Sequence, residues 1–490
     1  MKRSKHSLSN YKLFSCDMGE LIPCGLTEVL PGDTLQHATS VLLRCSPLLA
    51  PVMHPVRVRV HHWYVPFRLI WDEWEDFITG GPDGMDDSEF PTMKAGSTSG
   101  YAVGSLADYL GVPPGVPNLE HSALPFRAYQ LIFNEWYRDQ DLQGEVAIST
   151  ASGLDTTTSK NLRSVNWEKD YFTSARPWEQ KGPSISIPLG QSAPLVNDVG
   201  ERSIVRGMSG TPISGGTPTT DGDGQLRWTT NNTPAQIDIT GHTHVDLTGV
   251  SAVTVNILRE AMALQRYEEA RARYGSRYVE YLRYLSVRSS DARLQRPEYL
   301  GGGKQVIQFS EVLQTAQGDD PVGEMRGHGI SALRTNRYRR FFEEHGYVIS
   351  MISVQPRTMY AQGLERHWNR RTKEDFWQRE LQHIGQQEVL NKEVYAPHSD
   401  PDGTFGYQDR YDEYRRQPNT VAGEFRTSVL DFWHMARVFE SDPALNGDFV
   451  KCVPTKRNFA VQTNDLLYVM CNHSIQARRL VSKVGKSFIY

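Results

Sequence analysis

Residues 56–65 read VRVRVHHWYV. Val56, Val58 and Val60 fall on one side of an extended chain, and Arg57, Arg59 and His61 on the other. A period of two marks a β strand with one face on a core. Two further stretches read the same way: GYVISMISV from Gly346 to Val354, and Leu466–Met470 after Phe459 and Val461. These segments lie hundreds of residues apart, so the pattern predicts a sandwich or barrel whose strands are joined by very long excursions. Between them, Ile257, Ala261 and Leu264 recur at helical spacing in a run to Arg273 without Gly or Pro. Trp71–Ile78 and Phe126–Tyr137 are shorter helix candidates. The helices occupy connections rather than alternating βα units, which argues against a doubly wound parallel sheet.

The chain has 490 residues, of which 39% are hydrophobic and 10% aromatic, with ten Trp and twenty-two Tyr. That supplies a substantial core and excludes bulk disorder. Large aromatics serve cores and interfaces alike. Residues 191–249 differ. The segment GMSGTPISGGTPTTDGDG is rich in Gly, Thr, Ser and Pro, and reads as a surface loop or β-rich protrusion. The five cysteines (Cys16, Cys24, Cys45, Cys452, Cys471) form no CxxC pair, so neither a disulfide framework nor a zinc site is indicated. No signal peptide and no apolar run of about eighteen residues is visible, which predicts a soluble protein with no membrane insertion.

Catalytic motifs fail on spacing. Gly485-Lys486-Ser487 ends like a phosphate-binding loop, but the required earlier Gly is Leu480. Gly301-Gly302-Gly303-Lys304 lacks the following Ser or Thr and reads as a flexible turn. His242 and His244 share a strand face without a third ligand. His61 and His62 would point to opposite faces and cannot chelate jointly. Glu73/Glu75 and Asp86/Asp87 read as surface charge, and no GxSxG elbow occurs. The expectation is no enzyme, no cofactor and no metal.

Net charge is −4, so any nucleic-acid contact must come from local clusters. Two lie at the ends. Lys2, Arg3 and Lys5 stand in residues 1–15, and Arg478, Arg479, Lys483 and Lys486 stand in residues 472–490, which hold no Asp or Glu. Basic arms of this kind neutralise phosphates with little sequence preference. A solvated terminus is the plain alternative.

Longer blocks carry a resemblance. They are DMGELIPCGLTEVLPGD from Asp17, SPLLAPVMHPVRVRVHHWYVPFRLIWDEWEDFITGG from Ser46, LPFRAYQLIFNEWYRDQ from Leu124 and WEKDYFTSARPWEQKG from Trp167. LREAMALQRYEEARARYGSRYVEYL follows from Leu258 and leads into DARLQRPEYLGGGK, ending at Lys304. HGYVISMISVQPRTMYAQGL (His345), FWQRELQHIGQQEVLNKEVY (Phe376), FGYQDRYDEYRRQPN (Phe405) and LDFWHMARVF (Leu430) complete the series. In this order they resemble the major capsid proteins of Microviridae, notably the gokushovirus-like branch. Residues 191–249 align with nothing in that family, and the last thirty or so resemble it less.

The resemblance implies a mainly β fold: one eight-stranded antiparallel jelly roll spanning residues 1–490, with long interstrand insertions. It implies sixty copies of the chain in a T=1 icosahedral shell around a circular single-stranded DNA genome. Further implied partners are a small basic DNA-binding protein, a scaffolding protein, a minor or pilot protein and a host surface receptor. The insertion at 191–249 would form a threefold protrusion used in attachment. The product would be made in the host bacterial cytoplasm and end in the virion. On that basis Trp71–Ile78, Phe126–Tyr137 and Ile257–Tyr284 are expected to build surfaces between subunits. Two rivals make other demands. A carbohydrate-active enzyme needs two carboxylates about 5–10 Å apart across a cleft. A free single-strand-binding protein needs a basic groove.

Overall fold

The computed structural model describes residues 3–183, 295–315 and 322–483 continuously, with 185, 255–274, 278–284, 286 and six short strands between 195 and 245. It has two compact units, Met1–Lys181 with Arg271–Tyr490, and Gly182–Ala270.

The first unit is built on strands β1 (Ser4–Ser7), β2 (Asn10–Cys16), β3 (Ile22–Val29), β4 (Thr34–Cys45) and β5 (Val56–Pro66). After a long excursion come β6 (Glu298–Val306), β7 (Gln308–Leu313), β8 (Met325–Arg334), β9 (Tyr338–Phe341) and β10 (Gly346–Pro356). A second excursion leads to β11 (Leu467–Arg479). One sheet runs β3–β10–β5–β6. The other runs β2–β11–β4–β8, with β1 also on β11, β9 also on β4, and β7 flanking β8. All these pairs are antiparallel. Successive strands β2 to β5 alternate between the sheets, and β8, β10 and β11 do so again. The four-stranded order β3–β10–β5–β6 opposed to the order β2–β11–β4–β8 makes an eight-stranded jelly roll, to which β1, β7 and β9 are added at the seven-stranded sheet.

The period-two reading of 56–65 places its residues correctly. Val56, Val58 and Val60 are wholly buried between the sheets with Val41, Leu43, Leu467 and Val469. From His62 onward both faces of β5 are buried. Trp63 and Val65 face the other way, onto a second core closed by α3 (Leu124–Ile132), while Leu106 of α2 (Leu106–Leu110) joins the same cluster. The two sheets thus differ. The connection after β5 covers the outer face of the β5 sheet, whereas the outer face of the β11 sheet carries many exposed side chains.

Three expectations need correction. The third strand is longer than Leu466–Met470. It runs to Arg479, because Cys471, His473, Ile475 and Ala477 keep alternating inward. Phe126–Tyr137 does not form an outward surface: Phe126, Ala128, Tyr129 and Ile132 are fully buried within the chain. Its amphipathic pattern marks packing against the protein's own sheet. Finally, Gly301–Lys304 is no turn but the middle of β6, paired with β5 from His62 to Arg59 across a bulge at Tyr299/Gly301. The glycines admit close approach. A Cβ on Gly302 would stand 2.1 Å from the Val60 carbonyl oxygen. Gly302→Ala is therefore expected to cost about 1–3 kcal/mol by overpacking, read as a lower urea midpoint.

Six short strands are described in the second unit. Ile204–Gly207, Thr233–Asp238, Leu226–Trp228 and Pro218–Thr220 form one antiparallel sheet, and Leu195–Asn197 pairs with Thr243–Val245. His242 lies outside the described residues, and so do Lys2 and the segment from Val484 that holds Lys486. Two helices follow, α4 (Val255–Tyr274) and α5 (Tyr278–Tyr284). No helix among the described residues is long and apolar enough to cross a membrane.

Candidate nucleic-acid interface

The described parts of the basic ends include two paired strands, β1 and β11. Register places Lys5 of β1 directly opposite Arg478 of β11, and Arg478 opposite Thr34 of β4. Thr34 in turn faces Phe341 of β9. The two terminal clusters therefore meet in one row across the sheet, which spacing alone did not show. Both Lys5 and Arg478 are exposed and have no carboxylate partner among the described residues. The arms envisaged from sequence are paired strands, because alternate β11 side chains are needed in the core.

The other predicted cations divide. Arg3 bonds the Gly32 carbonyl at 2.9 Å and Thr34 Oγ1 at 3.1 Å, and lies over the Phe341 ring. Arg479 is committed to the interior side. Its Nε stands 2.9 Å from the carboxylate of Asp33, which is wholly buried. Such a charge is strongly unfavourable without that partner. Lys483 is exposed beyond the end of β11.

Following the register along the sheet adds residues that the sequence reading missed. Arg339 faces Gln36, Arg334 faces Ser40 and Arg44 faces Ile330. Arg334, Arg337, Arg339 and Arg44 are exposed, and none has a carboxylate partner among the described residues. Arg340 and Arg326 share the region but pair with Glu298 and Glu324. The signal was present as RTNRYRR from Arg334, four arginines in seven residues with no acid. It lies mid-chain, away from the terminal clusters, and only strand pairing brings it beside them.

Side chains that alternate to this face on β1, β2, β4, β8, β9 and β11 include no Asp or Glu. From the Thr34 row to the Arg44 row is ten residues, about 34 Å at the usual strand rise. Tyr11, Tyr468 and Phe341 are exposed among the cations. A sheet face with arginines and aromatic rings, and no acid on β1, β2, β4, β8, β9 or β11, offers phosphate neutralisation and stacking planes to a single strand of nucleic acid.

Behind the face lies a polar core. His37, His62 and His473 come from β4, β5 and β11 and are almost completely buried. Thr39 Oγ1 stands 3.1 Å from His37 Nε2 and 2.9 Å from His473 Nδ1. His62 bonds Ser350 at 2.8 Å, and His37 lies 3.1 Å from the Tyr338 hydroxyl. Burial holds His37 down to about 3, and holds His62 well below the ordinary range. Among the described residues no three His, Cys, Asp or Glu side chains are arranged to hold a metal. All five cysteines are buried and unpaired.

The second feature is a cleft of about 840 Å³ beyond the Pro356 end of β10. Arg357, Arg366, Arg370, Tyr414, Arg415 and Arg416 are among its walls. Its carboxylates are largely engaged: Glu393 with Arg366 at 2.8 Å, Glu413 with Arg370 at 3.6 Å.

An eight-stranded jelly roll with long helical and irregular insertions defines the class: a β-rich protein of the viral capsid type. The chain belongs to the phage capsid protein (F protein) family, which it matches over residues 1–487. It is 38% identical over 484 residues to the capsid protein VP1 of Bdellovibrio phage phiMH2K, covering 94% of this chain and 90% of that one. VP1 of Chlamydia phage 1 is 35% identical (94% and 91% covered), and VP1 of Spiroplasma virus 4 is 31% identical (92% and 87%). The protein is thus a structural component of a virion and not an enzyme.

Proposed function

We propose that sixty copies of this chain close into a T=1 shell around a circular single-stranded DNA genome, with the outer face of the β11 sheet lining the interior. One observation carries the reading: a sheet face where, among the described residues, Lys5, Arg478, Arg339, Arg334 and Arg44 are exposed without carboxylate partners. Such a face attracts the phosphate backbone without reading its sequence. Synthesis in the host bacterial cytoplasm, with reduced buried thiols, belongs to the same reading. The insertion at 191–249 is proposed as the host-facing protrusion that contacts a surface receptor. Scaffolding, pilot and small basic proteins are proposed as assembly partners.

The test is particle composition. Arg334→Glu with Arg339→Glu and Arg478→Glu should leave the subunit folded but lower the DNA content of purified particles at least several-fold. The salt dependence of DNA retention should also become shallower, because fewer phosphate contacts release fewer counterions. Particles with wild-type genome content and wild-type salt response would refute the assignment of this face.

A further inference from the structure

Two surfaces at opposite ends of one strand pair complement each other. The first follows β5. Helix α1 (Trp74–Thr79) and the turn after it run DEWEDFITGGPDGMDDSEF from Asp72 to Phe90. All eight carboxylates there (Asp72, Glu73, Glu75, Asp76, Asp83, Asp86, Asp87, Glu89) are exposed, and none has a basic partner among the described residues. The nearest basic residues in sequence are Arg68 and Lys94. Phe77, Ile78, Met85 and Phe90 are exposed among them, although large apolar groups in a lone soluble domain are usually covered.

The second surface follows β10, around the cleft that begins at Arg357. Trp368, Phe376, Trp377 and Tyr414 are all about half exposed or more, with Trp368 at 63%. Exposed Trp beside Arg is the composition that dominates binding energy at protein interfaces. Arg370 lies over the Tyr414 ring at 4.3 Å and over Phe376 at 5.4 Å, so the rings and cations form one platform. Arg357 and Arg379 are exposed, and neither has a carboxylate partner among the described residues.

The two surfaces do not meet within one subunit. Strand β5 ends at Pro66 opposite Gly346, the start of β10, and begins at Val56 opposite Pro356, the end of β10. Helix α1 sits at the Gly346 end, where Trp74 packs on His345. The platform leaves from the Pro356 end. Ten strand steps separate them, about 33 Å. An acidic, apolar-tipped element at one end and a cationic, aromatic platform at the other are complementary in charge and in apolar surface.

We infer that α1 and its following turn in one copy dock on the Trp368–Tyr414 platform of a neighbouring copy. The contact joins unlike patches, so it is heterologous and repeats from copy to copy until a symmetric ring closes. Opposite charge steers the encounter, and the aromatic rings supply the buried area. This inference rests on the shell-forming reading above and names the surfaces that execute it.

Charge exchange tests it. Three full-length variants are compared with wild type: Glu75→Lys/Asp76→Lys, Arg357→Glu/Arg379→Glu, and the four changes together. Closed particles are counted by gradient sedimentation and electron microscopy, and subunit melting is followed alongside. Each pair alone should cut closed particles at least tenfold while subunit melting stays unchanged. The fourfold variant should recover most of the yield, because attraction is restored with its sign exchanged. A pair variant that assembles like wild type overturns the inference. So does a fourfold variant that melts like wild type yet stays unassembled. If wild-type chain itself never closes into shells, the reading underneath fails instead, and the docking contact falls with it.

Discussion

Moving from pH 7 to pH 5 should destabilise the folded subunit by about 2 kcal/mol through His37 alone. The ring is held neutral because burial strips its hydration, lowering it to about 3, and nearby His473 disfavours a second charge. Its folded value lies below its unfolded one. The stability it contributes is therefore complete above about pH 6.5 and drains away as pH falls toward 3, because only the unfolded chain takes up the proton. At pH 5 that amounts to about 2 kcal/mol, from 1.36 kcal/mol per unit. His62 adds in the same direction, since burial also lowers it.

His473 acts oppositely. Burial would lower it, but its contacts with Cys24 outweigh that and raise it, so its contribution is present at low pH and lost on raising pH. His37 faces His473 across 3.3 Å, so a proton on either ring makes a second one harder. Urea midpoints measured between pH 7 and pH 5 should fall steadily, and His37→Gln should flatten the slope. A midpoint that is constant or rises toward pH 5 contradicts this account.

Arg127→Met should be the most damaging single change in the first unit, costing about 3–5 kcal/mol. Arg127 and Asp155 are both fully buried, with Nε to carboxylate at 2.8 Å. The guanidinium also bonds the carbonyls of Ile70 and Ala151 at 2.9 and 2.8 Å, tying α3 to the connection that covers the β5 sheet. Burial alone would raise the Asp155 carboxyl, but bonds from Thr158 and Arg127 outweigh it and hold it low. Removing the arginine strands that charge. The double variant Arg127→Met/Asp155→Leu should recover much of the loss, because no unpaired charge then remains. Thermal unfolding of the three chains decides the matter. A double variant as unstable as Arg127→Met would show that the carbonyl bonds matter more than the ion pair.

How far the sequence reached depends on the kind of pattern. Alternation at Val56–Val60 identified β5 and its inner face, since two-fold periodicity is local. It failed past His62, where both faces are buried and alternation disappears. Helix α3 was found by its composition, but its side of the molecule was not, because a buried helix and an interface helix share the same apolar side chains. The glycine run 301–303 resembled a turn because glycine is ambiguous alone. Only pairing with β5 shows that absent side chains admit a neighbouring carbonyl. For the candidate interface, charge counting found Lys5 and Arg478 but missed Arg334 and Arg339. What unites them is register across β1, β11, β4 and β9, a property of pairing and not of order along the chain. Arg479 was grouped with them by adjacency, yet one residue's step in a strand turns it toward Asp33.

Strand β11 sits between β2 and β4, and its strand partners, Ser4 opposite Arg479 among them, are as much as 475 positions away along the chain. A ribosome synthesises β2 and β4 long before β11 exists. Until then a central seat in the sheet stays vacant, with the hydrogen-bonding edges of β2 and β4 open to wrong partners. Closing such distant contacts is slow and exposes the chain to aggregation. The face that carries Lys5, Arg478 and Arg339 in register cannot exist on a growing chain. Translation thereby acts as a clock: no subunit offers the completed basic sheet face before β11 has emerged, so premature binding of polyanions by half-made shell protein is disfavoured by topology alone.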